Sequence, residues 1–192
     1  MKKIFLSLIA LMIGASLSAQ DPKNILKLGL GPGFTYNPDS YYYVLPHMYF
    51  RSQWGIDANL GTERMIWRFI GAGLNIDYSH TSQKEKDYKI GYDNLYVGPC
   101  LVTASRLGKY FRIDGNFGLG WSLYAEPGIR HSALGYRVSL STEFMFSKHI
   151  GIGFEVVEHL TPFKGSDNLN RYGYAFNRVY RTSALFGIRI YR

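Results

Sequence analysis

Phe111, Ile113, Phe117, Leu119, Trp121 and Leu123 alternate with Arg112, Asp114, Asn116, Gly118, Gly120 and Ser122. A period of two sets a large apolar face against a charged, glycine-containing one, as in a β-strand that meets two different media. A soluble sandwich would bury the first face and wet the second. A transmembrane barrel turns the first to lipid and the second to a narrow polar lumen. The stretch fits both, so the decision rests on the rest of the chain.

The N-terminus points to export. Lys2 and Lys3 precede an apolar run from Ile4 to Leu17, and Ser18 and Ala19 stand before Gln20. This is the pattern of a cleaved signal peptide over 1–19, and the apolar core is short for a membrane span. No cysteine follows it for lipid attachment. Past residue 20 there is no second apolar span, so an integral membrane protein of this sequence must be a closed barrel, the one β-structure that leaves no backbone group unpaired in lipid. Residues 20–192 are expected to form one domain.

The formal charge of +8 falls to about +6 without the two leader lysines, a moderate balance with scattered basic residues. No basic run interleaves with stacking aromatics, so nucleic acid is not an expected partner. Cys100 is the single cysteine, which excludes an intramolecular disulfide and reads as a small apolar strand residue.

The alternation predicts strands at 25–35, 43–56, 66–80, 92–105, 110–124, 134–147, 150–161 and 178–191. Short connectors are expected at 106–109 and 147–149 and a tighter link near 61–64. Longer polar connectors are expected at 37–40, 79–89, 126–132 and 162–177. Short inner turns alternating with long outer loops, and an even strand count, describe an all-β, antiparallel, up-and-down eight-stranded transmembrane β-barrel. Arg51–Gly55 also resembles a turn, and the reading adopted ends the second strand near Gly55. Pro46 and Pro99 suggest bulges or strand ends. Aromatics gather near the strand ends: Tyr41, Tyr42, Tyr43, Tyr78, Tyr92, Tyr124 and Tyr180 at an outer rim, and Trp54, Trp67, Tyr110, Phe111, Phe146 and Tyr191 at an inner one.

With these motifs in view, the chain resembles the small outer-membrane β-barrel proteins of Gram-negative bacteria, particularly those of Bacteroidetes. The matching features are the Ser18-Ala19-Gln20 leader end, Leu28-Gly-Leu-Gly-Pro-Gly-Phe34, Tyr43-Val-Leu-Pro46 and Phe186-Gly-Ile-Arg-Ile-Tyr191. The resemblance implies an outer-membrane location, an eight-stranded barrel, and contact with outer-membrane lipid, lipopolysaccharide and the barrel-assembly machinery. It implies little about activity. Barrels of this class usually end on an outward aromatic, whereas this chain ends Tyr191-Arg192, which makes Tyr191 the expected substitute.

Inward-facing positions give a predicted lumen of Lys27, Arg112, Asp114, Arg137, Glu143, Glu155, Arg181 and Arg189, with Asp77 added. Eight strands leave room for little beyond side chains, so these charges are expected to pair and plug the barrel rather than line a solute path. Of the five histidines, His80, His131 and His159 fall near outer strand ends without ligand spacing, and His47 and His149 add none; no metal is expected. His131-Ser132 with Glu143 invites a hydrolase reading, because some outer-membrane barrels deacylate lipopolysaccharide. In this topology, however, Glu143 is on the order of 30 Å away at ~3.3 Å per residue. No catalytic residue, enzyme activity or cofactor is therefore expected. The outer loop at 162–178 mixes Phe163, Lys164, Arg171, Tyr172, Tyr174 and Arg178, a composition suited to recognition of an unknown extracellular ligand. The expected protein is a monomer acting structurally or by recognition. A narrow passive channel is the alternative, and a lipid A-modifying hydrolase stands further back.

Overall fold

The computed structural model describes residues 23–36, 53–85, 88–126, 129–162 and 178–192. Eight strands follow one another: β1 (Asn24–Tyr36), β2 (Gln53–Met65), β3 (Ile70–Glu85), β4 (Tyr88–Leu107), β5 (Phe111–Glu126), β6 (Ile129–Met145), β7 (Ile150–Pro162) and β8 (Arg178–Tyr191). Each pairs antiparallel with the next, and β8 returns to β1, giving a closed up-and-down barrel. Asn24 and Arg192 exchange backbone hydrogen bonds of 3.0 and 2.8 Å, so the two ends of the chain's barrel meet at one rim. Closure leaves no strand edge, the condition a sheet must meet in lipid.

The alternation decides which face goes where. Phe117, Leu119, Trp121, Val138, Leu140, Ile152 and Phe186 are among the large apolar residues exposed on the outside. Arg112, Arg137, Arg189, Lys27 and Glu143 are buried inside. The wall is greasy outside and polar within, the reverse of a soluble fold and the arrangement of a membrane barrel. Tyr110, Phe111, Phe144 and Phe146 form a run of ring contacts 5.1 to 6.1 Å apart at the inner rim.

The second strand differs from expectation. Its described ladder spans Gln53 to Met65, past the end expected near Gly55, and the link expected near 61–64 lies within it. Gly61 and Arg64 resemble turn residues by type, but within the ladder Gly61 is buried toward the lumen and Arg64 is exposed on the outer face. Here Asp57, Asn59 and Glu63 are buried lumen residues, while Trp54, Ile56 and Leu60 face outward. Trp54 consequently sits at the outer end of its strand, beside Phe34 at a ring distance of 5.1 Å, and not at the inner rim. The turn to β3 falls at residues 66–69.

The strands β3 to β6 also run further than the sequence pattern. The polar segments 79–89 and 126–132 continue the ladder, with Glu85 opposite Tyr88 and Glu126 opposite Ile129. Leaving lipid does not end a strand; it ends only the need for an apolar outer face. Pro99 lies within β4, where the pairing to β5 steps from Val97–Trp121 to Cys100–Gly118 because proline brings no N–H. Tyr92 and Tyr124, expected in the outer girdle, instead face each other inside the barrel with ring centroids 5.8 Å apart. Tyr191 also faces inward and is fully buried, so it cannot be an outward terminal aromatic. Segments 1–19, 37–52 and 163–177, with Tyr41–Tyr43, Pro46 and His47, lie outside the described residues.

The closing seam depends on glycine. Gly29 and Gly187 are direct partners on β1 and β8. A Cβ on Gly187 would run into the Leu28 carbonyl oxygen and lie 2.7 Å from Gly29 Cα. Gly187→Ala must therefore spread the two strands that close the barrel, an overpacking cost of about 1–3 kcal/mol. The expected result is a lower urea midpoint and a smaller fraction of fast-migrating, unboiled protein on gels.

Candidate functional site

Among the described residues the lumen holds five cationic side chains, Lys27, Arg112, Arg137, Arg181 and Arg189, against six carboxylates, Asp57, Glu63, Asp77, Asp114, Glu143 and Glu155, all buried. All eight residues placed in the lumen from sequence are inside, as is Asp77. Desolvating an ion costs several kcal/mol even after relaxation, so each must find partners within the wall.

The partners form three tiers. Near the inner end, Lys27 Nζ lies 2.5 Å from Glu63 Oε1 and 2.6 Å from Asp114 Oδ1. Arg112 donates to Glu143 at 2.9 Å, Asp114 at 3.0 Å and Glu63 at 3.2 Å. Arg189 bridges upward from Glu143 at 3.1 Å to Glu155 at 3.2 Å. In the middle tier Arg137 joins Asp77 and Glu155, each at 2.9 Å, and Asn59 donates to Asp77 at 2.6 Å. Nearer the outer mouth Arg181 grips Asp57 and donates to Thr81 at 2.7 Å, while the Ser183 hydroxyl donates to Asp57. Below these tiers, Ile25, Met145 and Tyr191 form a small apolar cluster at the inner end, and the Tyr191 hydroxyl donates to Glu143 at 3.1 Å.

Glu63, Asp57, Asn59 and His159 belong to this network and were missed from sequence. The first three lie on the mis-set second strand. His159, expected among solvated outer histidines, is buried with Nε2 3.3 Å from Asp77 and its ring 5.2 Å from Tyr96. Its inward phase continues Gly151, Gly153, Glu155 and Val157, but adjacent Val156 and Val157 blur that alternation in the sequence.

The remaining candidates separate. His131 and Ser132 are adjacent near the outer end of β6, with Ser132 exposed on the outer face, whereas Glu143 lies in the inner tier of the lumen. They do not assemble. Cys100 is a buried free thiol accepting a bond from Asn116 at 3.2 Å. Among the described residues no group of three or more His, Cys, Asp and Glu is arranged to hold a metal ion. Of the six loop residues singled out, Phe163, Lys164, Arg171, Tyr172 and Tyr174 lie outside the described residues, and Arg178 opens β8 opposite Pro162.

A polar cluster of β3 and β4 lies on the outside. His80 Nδ1 is 2.9 Å from Asp93 Oδ1, and the Tyr78 hydroxyl donates to the same oxygen at 2.6 Å. Both strands carry apolar outward residues below it, Ile76 on β3 and Leu95 and Val97 on β4.

Solved structures share the architecture. Neisserial surface protein A superposes with a TM-score of 0.64 at 7% identity, covering 88% of this chain and 97% of that one. The outer membrane protein OprG of Pseudomonas aeruginosa gives 0.54 at 11% identity, covering 90% and 97%. At such identities the likeness is one of fold. No curated protein matches the chain in sequence. The family model described as "Outer membrane protein beta-barrel domain" matches residues 5–181, and the chain therefore belongs to that family of outer-membrane barrels.

Proposed function

We propose that the protein is exported through its first 19 residues and serves as a monomeric, plugged outer-membrane barrel, with a structural or recognition role exercised at its outer surface. The lumen has no catalytic role in this reading. Its contacts would be outer-membrane lipid and lipopolysaccharide, the barrel-assembly machinery during insertion, and an extracellular ligand at the loop carrying Phe163, Lys164, Arg171, Tyr172, Tyr174 and Arg178. The leader and strand motifs favour a Bacteroidetes source.

The observation that carries the reading is the filled interior. Lys27, Arg112, Arg137 and Arg189 are each at or below 1% exposure, and each is held by two or more carboxylates. A solute would have to break these pairs to pass, which weighs against the channel alternative. Purified protein in planar bilayers is expected to show no steady single-channel conductance, while migrating faster on gels before boiling than after. A stable conductance step from such a folded sample would overturn the plug.

A further inference from the structure

Ser82, His80 and Asp93 share the outer face of β3 and β4. The register sets His80 opposite Asp93 and Ser82 opposite Gly91. Ser82 and His80, two residues apart on one strand, project to the same side. Asp93 is fixed by Tyr78 and takes His80 through Nδ1. An imidazole held at Nδ1 by a carboxylate presents Nε2 as its proton acceptor. A Cβ on Gly91 would lie 3.5 Å from His80 Cε1. The ring therefore leans over the row shared by Ser82 and Gly91, and the absence of a side chain at Gly91 keeps the approach to Ser82 open. Ser82 is exposed, and the His80 and Asp93 side chains are half exposed.

The surroundings point to the substrate. A groove of about 480 Å³ crosses the outer wall from Phe186 in the inner half of β8, past Leu30 and Ala58, to Tyr78 in the outer half of β3. Its walls are apolar. Tyr78 is both the end of this groove and the donor to Asp93, so a chain lying in the groove ends beside the His80–Asp93 pair.

We propose that Ser82, His80 and Asp93 form a hydrolytic site for a long-chain acyl ester of an outer-leaflet amphiphile, whose acyl chain occupies the groove. His80 Nε2 takes the Ser82 proton as Oγ bonds to the ester carbonyl carbon. The alcohol leaves with that proton. Water, deprotonated by Nε2, then releases the fatty acid and returns the hydrogen to Ser82. Asp93 is the positioning residue, holding the tautomer. The inference rests on the outer-membrane placement proposed above, and it adds an activity on the outer wall to the structural role of the plugged lumen.

The test is fatty-acid release, followed by mass spectrometry, from the folded full chain mixed with vesicles of lipopolysaccharide or, separately, of phosphatidylglycerol. Release is expected from at least one, and the one hydrolysed identifies the source of the ester. Ser82→Ala and His80→Asn should each lower the rate by about a hundredfold or more. Asp93→Asn should lower kcat with KM held, and Ser132→Ala should change nothing. Faster migration before boiling certifies each variant as folded, independently of hydrolysis. No release from either vesicle by folded protein, or release unaltered by Ser82→Ala, overturns the site and leaves the plugged barrel standing.

Discussion

Arg112→Ala is expected to destabilise the barrel by about 3–5 kcal/mol, the cost of leaving buried charge without its counter-ion. The guanidinium donates to Asp114, Glu143 and Glu63 at once. Without it, Lys27 remains as the near cation for Asp114 and Glu63, and Glu143 keeps Arg189. Two cations then face three carboxylates in a space closed to water. Arg112→Lys recovers little, because an ammonium cannot match the planar fork that serves three acceptors. Adding Glu63→Gln to Arg112→Ala removes one orphaned charge and should restore part of the loss. Urea unfolding in lipid vesicles, followed by tryptophan fluorescence and gel mobility, reads all four proteins. A single variant as stable as the parent would mean that the network is hydrated and the lumen open.

The same network marks the boundary of what could be read from sequence. Lys27, Arg112, Arg137 and Arg189 were legible because their strands alternate sharply, with glycines or charges between large apolar residues. The strand carrying Asp57, Asn59 and Glu63 was not, because its outward set includes Ala58 and Thr62 and its inward set includes Gly61. Small residues on both faces erase the contrast that a period-two reading depends on. Tyr191 departs from expectation for a different reason. Aromatics favour the headgroup region as a class, but its phase with buried Arg189 sends it into the lumen.

The exterior cluster was out of reach for a third reason. His80 and Asp93 meet only through the register in which β3 pairs with β4. A turn moved by one residue would face every β4 side chain the other way. The polar run 79–89 reads as a loop, and a loop has no register to place these two residues together. Adjacent His131 and Ser132 drew notice because they are neighbours in sequence, although strand geometry turns neighbours to opposite faces.

Phe117→Arg tests the direction of the whole wall. Phe117 lies midway along the outward apolar series of β5, between Phe111 and Leu123, and is 48% exposed. If that surface meets the hydrocarbon core, arginine there costs about 2–4 kcal/mol in lipid-vesicle unfolding, and the cost falls to about 0–1 kcal/mol near the interface. Ser132→Arg, on the outward face near the outer end of β6, should therefore be nearly silent. A face wetted by water would treat the two alike, each within about 0.5 kcal/mol of the parent. The depth difference separates the two media with which the reading of this strand began, because charge at Phe117 is costly only where water cannot follow it.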